Sequence, residues 1–206
     1  MGRPTNTDAR RAQIVEALMQ VMAVHGFDGA SIRLIAEAAD LTPGLVHYHF
    51  KTKHDILLEL MNHLAALLEE RLNDALAHKA TPREHLHAFL RALLSLDPVD
   101  RPDPAAVACW IAVGAQAVRA PALAARLQVA LAGLQRTLAA LLRDALADAG
   151  RSTQGAEADA WVLIAAIQGS FGLAGAGVAP RGFAADGLIR AADALIDAAP
   201  PAGKGA

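Results

Sequence analysis

The chain has 206 residues with 19 Lys and Arg against 21 Asp and Glu, a formal net charge of −2, so a uniformly basic surface is excluded. Its residues are 54% hydrophobic but only 4% aromatic, and 49 of them are alanine, which excludes global disorder and favours helix over strand. A single cysteine excludes an intramolecular disulfide and every multi-cysteine zinc site, leaving the expectation of an all-α protein with a sizeable core.

The opening MGRPTNTDARR has no apolar run after its basic residues, so no secretory signal is expected, and a cytoplasmic location is. Arg3-Pro4 precedes the first helix as an arm able to reach a minor groove, or as a terminus with incidental charge. The first helix starts near Thr7 or Asp8, carries an apolar stripe of Ile14, Leu18, Val21 and Met22, and ends at Gly26. Ser31 caps a second helix over 32–39, with Leu34, Ile35 and one of Ala38 or Ala39 turned inward. After a tight turn at Asp40-Leu41, Thr42 caps a very short third helix with Pro43 at its first position, where proline is tolerated. Thr52 caps a fourth, whose Ile56, Leu57, Leu60, Leu64, Leu67 and Leu68 follow a helical period up to Lys79. Thr81-Pro82 opens a fifth, and the three prolines of DPVDRPDP (97–104) predict a loop. Four more helices are predicted over 104–119, 121–149, 155–178 and 184–198, followed by a frayed PPAGKGA tail.

The polar chemistry lies early. All eight histidines precede residue 88, and residues 41–54 hold two lysines and no acid. Two short helices joined by a turn of about three residues form the helix-turn-helix pattern. The second is some 10 Å long at about 1.5 Å per residue, a rod that fits a major groove about 12 Å wide. Leu34, Ile35, Leu45, Val46 and Phe50 supply its small core, so Thr42, His47, Tyr48 and His49 are left for the outer face. Backbone N–H groups at the helix starts near Thr42 and Lys53 suit phosphate oxygens, and Lys53 adds a charge there.

The segment ASIRLIAEAADLTPGLVHYHFKTKHDILLEL (30–60) resembles the DNA-binding domain of the TetR (tetracycline-repressor) family. The likeness rests on Ala36, the Leu41-Thr42 turn, the His49-Phe50 pair, and Lys53 followed by Ile56-Leu57. It implies a homodimer whose recognition helices enter successive major grooves of a palindromic operator. Ser31, Arg33, Thr42, Pro43, Gly44 and Leu45 fall where that family touches bases or backbone. His47, Tyr48, His49 and Lys53 match its mostly phosphate-directed positions. The family often has tyrosine where His47 stands, and a histidine there would make phosphate contact weaken above neutral pH. On this resemblance residues 1–52 form the DNA-binding domain, 53–200 the ligand-binding and dimerisation domain, and 201–206 a disordered tail.

Residues 160–179 carry no charge, and their length could span a bilayer. Four glycines in that stretch, the lack of a second such stretch and flanks without an orientation signal count against a span, which leaves a dimer interface or the centre of a monomeric bundle, with the interface preferred. Gly169, Gly172 and Gly175 permit close approach beside Trp161. The last helix offers a matching stripe of Leu188, Ile189, Ala192, Leu195 and Ile196. PAAVACWIAVGAQAVRAPALAARLQ (104–128), around Trp110 and Pro121-Ala122-Leu123, is similar to the C-terminal domain of the choline-responsive, BetI-like branch of the family. Quaternary ammonium groups are held in aromatic cages. The aromatics beyond residue 80 are only Phe89, Trp110, Trp161, Phe171 and Phe183, thin for a cage. A mostly apolar, otherwise unidentified effector oriented by Gln116 or Gln168 is expected, with Phe89, Trp110 and Phe171 as candidate lining; Trp110 and Phe171 read equally well as core.

Enzyme chemistry finds no constellation. Cys109 sits in an apolar helix, Ser170 lacks a strand-to-helix elbow, and GLAGAG has neither a preceding strand nor a following lysine. No cofactor or metal is expected, although His47, His49 and His54 leave metal binding as a remote reading. The competing function is a helical small-molecule or metal-sensing protein that never engages DNA.

Overall fold

A computed structural model of the chain describes residues 6–78, 80–94, 104–179 and 183–203. Arg3-Pro4 and most of the proline-rich segment 97–104 lie outside those residues. The described elements are all helical: α1 (Asn6–Gly29), α2 (Ile32–Ala38), α3 (Pro43–His49), α4 (Lys53–Leu76), α5 (Pro82–Leu94), α6 (Pro104–Ala117), α7 (Pro121–Asp148), α8 (Ala156–Gly175) and α9 (Ala184–Ala198).

The helix starts are set by short polar side chains. Ser31 Oγ accepts from the Leu34 N–H at 3.2 Å, and Thr42 Oγ1 accepts from the Leu45 N–H at 3.3 Å. Thr52 with Asp55, and Thr81 with Glu84, exchange side-chain and backbone hydrogen bonds as reciprocal caps. The Thr81 N–H and hydroxyl hold the Glu84 carboxyl below the usual carboxylate range. Gly26, at φ 65° and ψ 173°, breaks α1 where the sequence predicts its end, but helical turns resume to Gly29. Asp40 takes a positive φ of 51° in the turn between α2 and α3. A short polar side chain tolerates that region better than most.

Contacts divide the described residues into two compact units, one within 6–66 and 104–127, the other within 67–94 and 128–203. Packing thus divides the chain differently from the 52/53 boundary read from the sequence. The first turns of α4 supply Ile56, Leu57, Leu60 and Met61 to the first core, and α6 with the start of α7 adds Cys109, Val113 and Leu123. The predicted stripe of α1 is buried there as expected, and Ala39 is the inward one of the Ala38-Ala39 pair, whereas Leu67 is exposed.

The second unit has its own core, built from α5, α7, α8 and α9. Arg83 on α5 reaches Asp197 at 2.7 Å and Asp193 at 3.4 Å on α9, and His87 Nε2 lies 2.9 Å from Asp193. The Arg83 hydrogen bond holds the Asp197 carboxyl below its ordinary range, and Asp197 in turn raises the Arg83 guanidinium. Part of the tail expected to fray is tied down. The Ser152 N–H donates to Pro200 O at 2.8 Å and the Ala202 N–H donates to Gly150 O at 2.9 Å. These bonds occupy backbone groups of the α7–α8 turn that helix ends leave unpaired.

Helix α8 is long and apolar enough to cross a membrane, but five of its residues (Ala156, Ala160, Leu163, Ile164 and Ile167) are buried in the second core at helical spacing. Its opposite face is open, with Trp161 48% and Val162 63% exposed.

Candidate nucleic-acid interface

The recognition segment is held by few contacts. Val46 and Phe50 are its buried side chains, with Leu45 half-buried beside them. Everything else on α3 turns outward or stays at the edge: Thr42, Pro43, Gly44 and His47 are exposed, and Tyr48 is 77% exposed. Fully burying an apolar side chain is worth about 1.5–3 kcal/mol, so two anchors can seat a seven-residue helix while leaving its outer face unused by the fold. The Tyr48 and His49 rings meet edge to face at 5.1 Å between centroids. Ser31 and Arg33 are exposed at the start of α2.

Two predicted residues behave differently from expectation. Lys53 is half-buried and donates to Phe27 O at 2.6 Å and to Asp28 O at 3.4 Å, with its ammonium 4.3 Å from the Phe27 ring centroid. Its charge closes the end of α1 instead of standing free beside the helix start. His49 is also half-buried, and its carbonyl accepts from Arg11 Nη1 at 2.9 Å.

Arg11 and Gln13 are the residues that the sequence reading missed. Arg11 holds the His49 carbonyl, while Gln13 Nε2 donates to Ala39 O at 2.6 Å. The signal was available: both lie outside the apolar stripe of α1, which left their side chains unexplained. A cavity of about 340 Å³ opens beside Arg11, lined by Asp8, Ala12, Val15, Glu59, Asn62 and His63. The sequence reading did not anticipate it.

The expected ligand and dimer residues are scattered more widely. Phe89 is completely buried in the second core, so it is a packing residue there. Gln168 and Phe171, both half-buried, lie on α8 in the second unit, whereas Trp110 and Gln116, also half-buried, lie on α6 in the first. Among the expected dimer residues, Trp161, Gly169, Gly172 and Gly175 are exposed on α8. Leu188 and Ala192 instead face the core of their own chain, because α9 turns its apolar stripe toward α5 and α8; Leu195 is half-buried. Among the described residues no group of three or more His, Cys, Asp or Glu is placed to hold a metal ion.

Residues 14–60 match the model for bacterial regulatory proteins of the tetR family, and residues 82–200, more than half of the chain, match the C-terminal model of BetI-type transcriptional repressors. The HTH-type transcriptional regulator BetI of Pseudomonas aeruginosa is 30% identical over 116 residues, covering 55% of this chain and 57% of that protein. The regulator PksA of Bacillus subtilis is 29% identical over 117 residues, covering 57% of this chain and 56% of PksA. The matched stretch thus spans little more than half the length of these curated relatives. Among solved structures, a transcriptional regulator from a Rhodococcus species superposes with a TM-score of 0.78 at 26% identity, covering 92% of this chain and 97% of its own. A regulator from Saccharomonospora viridis solved in complex with choline has the same fold, with a TM-score of 0.77 at 24% identity over 92% of this chain and 96% of its own.

Proposed function

Because the chain belongs to the tetR family of bacterial regulatory proteins, with a BetI-type C-terminal region, we propose that it is a ligand-responsive transcriptional repressor. It acts in the cytoplasm as a homodimer on a palindromic operator and has no catalytic role. The observation that carries this reading is the outer face of α3, where Thr42, Pro43, Gly44, His47 and Tyr48 are exposed on a helix seated by Val46 and Phe50. An exposed short rod without acidic residues suits a major groove, with side chains near its start at base edges. Ser31, Arg33 and Leu45 belong to the same contact set, His49 lies at its edge, and Lys53 contributes chiefly by fixing the end of α1.

Functionally, residues 1–52 are the DNA-binding part and 53–200 the effector-binding and dimerising part. The open face of α8, with Trp161, Gly169, Gly172 and Gly175, is the surface on which a second copy packs. The effector is a mostly apolar small molecule oriented by Gln116 or Gln168. Choline, held by the Saccharomonospora viridis relative, is the compound to compare it against. A ligand releases DNA only by binding the non-DNA conformation more tightly, and the shift is limited by that difference. Helix α4 links the two parts through one continuous backbone and is the lever between them.

A gel shift against the DNA flanking the chain's own gene tests the reading. Retention of a specific fragment, released by an effector, is expected. Failure to retain any fragment at low salt would leave the alternative of a helical binding protein that never engages DNA.

A further inference from the structure

We propose that Arg11 is the positioning residue of the recognition helix, held in turn by Glu59 of α4. This inference rests on the DNA-binding reading above. The last carbonyls of a helix have no partner within it, and the end of a seven-residue helix is a large part of the whole. Arg11 Nη1 donates to His49 O at the end of α3 at 2.9 Å. The Nη2 of the same guanidinium lies 3.2 Å from Glu59 Oε2, and its Cζ stands 4.2 Å from the Phe50 ring centroid. One planar group therefore meets the last carbonyl of α3, its buried anchor and a carboxylate on α4. A lysine ammonium has no fork to make these three contacts together.

Two further observations support a positioning role. Gln13, two residues along α1, donates to Ala39 O at 2.6 Å, so α1 grips the C-terminal ends of both helices in the motif. The side chains of Arg11 and Glu59 are 32% and 40% exposed, a degree at which an ion pair adds little to stability. What the pair does is fix direction. Glu59 lies on the same α4 segment as the buried Ile56 and Leu60, so a displacement of that segment draws on Arg11 and through it on the end of α3.

The test compares the whole protein with Arg11→Lys, Glu59→Gln and the double variant, at a temperature where circular dichroism shows each folded. Operator affinity is read by fluorescence anisotropy on a fragment selected by the unaltered protein, at several salt concentrations. Amide hydrogen exchange over residues 43–50 is read without DNA. Arg11→Lys is expected to weaken operator binding about tenfold, the loss of one charged hydrogen bond, with the salt slope unchanged. Glu59→Gln is expected to weaken binding in the same direction, the double variant to be no weaker than Arg11→Lys, and both single variants to speed exchange at the end of α3. Should Arg11→Lys not fold, Glu59→Gln alone must show both effects. Unchanged affinity and exchange in folded variants overturn the inference, as does a purely additive double variant. A salt slope smaller by about one overturns it too, since Arg11 would then touch phosphate directly. If the unaltered protein retains no DNA, the DNA-binding reading fails by itself. Exchange then decides the positioning role, and normal protection of α3 in the variants contradicts it.

Discussion

The Lys53 ammonium donates to the Phe27 carbonyl at 2.6 Å while lying 4.3 Å from the centroid of that residue's own ring. The start of α4 thereby closes the end of α1 just after the break at Gly26, and the His54 ring adds an edge-to-face contact with Phe27 at 5.2 Å. Lys53→Met keeps the apolar stem and removes the charge. It is expected to destabilise the folded chain by about 1.5–3 kcal/mol, the range for a charged hydrogen bond, read as a lower urea midpoint. An unchanged midpoint with weaker DNA binding would mean that Lys53 serves phosphate alone.

Tyr48 separates recognition from folding. Its side chain is 77% exposed, so Tyr48→Ala is expected to change stability by no more than about 0.5 kcal/mol. Operator affinity, in contrast, should fall severalfold. Equal affinities in the two proteins would remove Tyr48 from the interface.

The open face of α8 gives a prediction about assembly. Val162 is 63% exposed, so Val162→Glu leaves the protomer core intact. It should shift sedimentation from dimer to monomer and weaken operator binding with it. A dimer that persists unchanged would place the interface on another face.

Acid stability follows from Glu84 and Asp197. Both carboxyls are held low, Glu84 by the backbone N–H and hydroxyl of Thr81, Asp197 by the Arg83 hydrogen bond. A lowered folded-state value means that the stabilisation is present above the unfolded carboxylate range and is lost as pH falls through the folded value. Glu84→Gln and Asp197→Asn should therefore flatten the acid side of a melting-temperature profile, mattering most above the unfolded carboxylate range and least below the lowered folded-state values. A profile that keeps its full acid slope in both variants would show that these contacts do not contribute.

Much of the architecture was legible because it rests on local chemistry. Ser31, Thr42, Thr52 and Thr81 mark helix starts by hydrogen bonds within three residues, and the stripe of α1 needs only a period of 3.6. The outer face of α3 was legible by subtraction, once Val46 and Phe50 had been assigned inward. What escaped depends on partners distant in sequence. Lys53 meets Phe27 across 26 positions and Arg11 meets His49 across 38, and nothing in either neighbourhood encodes the pairing. The stripe of α9 is legible, but periodicity cannot say which neighbour covers it: Leu188 and Ala192, expected at a second copy, face the core that α9 shares with α5 and α8 of its own chain. Likewise, the packing of α6 on α1, which puts Cys109 and Val113 in the first core, has no signature in either helix alone.

The most direct test of the claim that two copies lay the outer face of α3 on duplex DNA is a titration of the selected operator at several salt concentrations, with stoichiometry read from sedimentation. Two chains per palindromic site are predicted, with log affinity falling steeply and linearly against log salt as phosphates are neutralised. A single chain per site, or an affinity indifferent to salt, would contradict it.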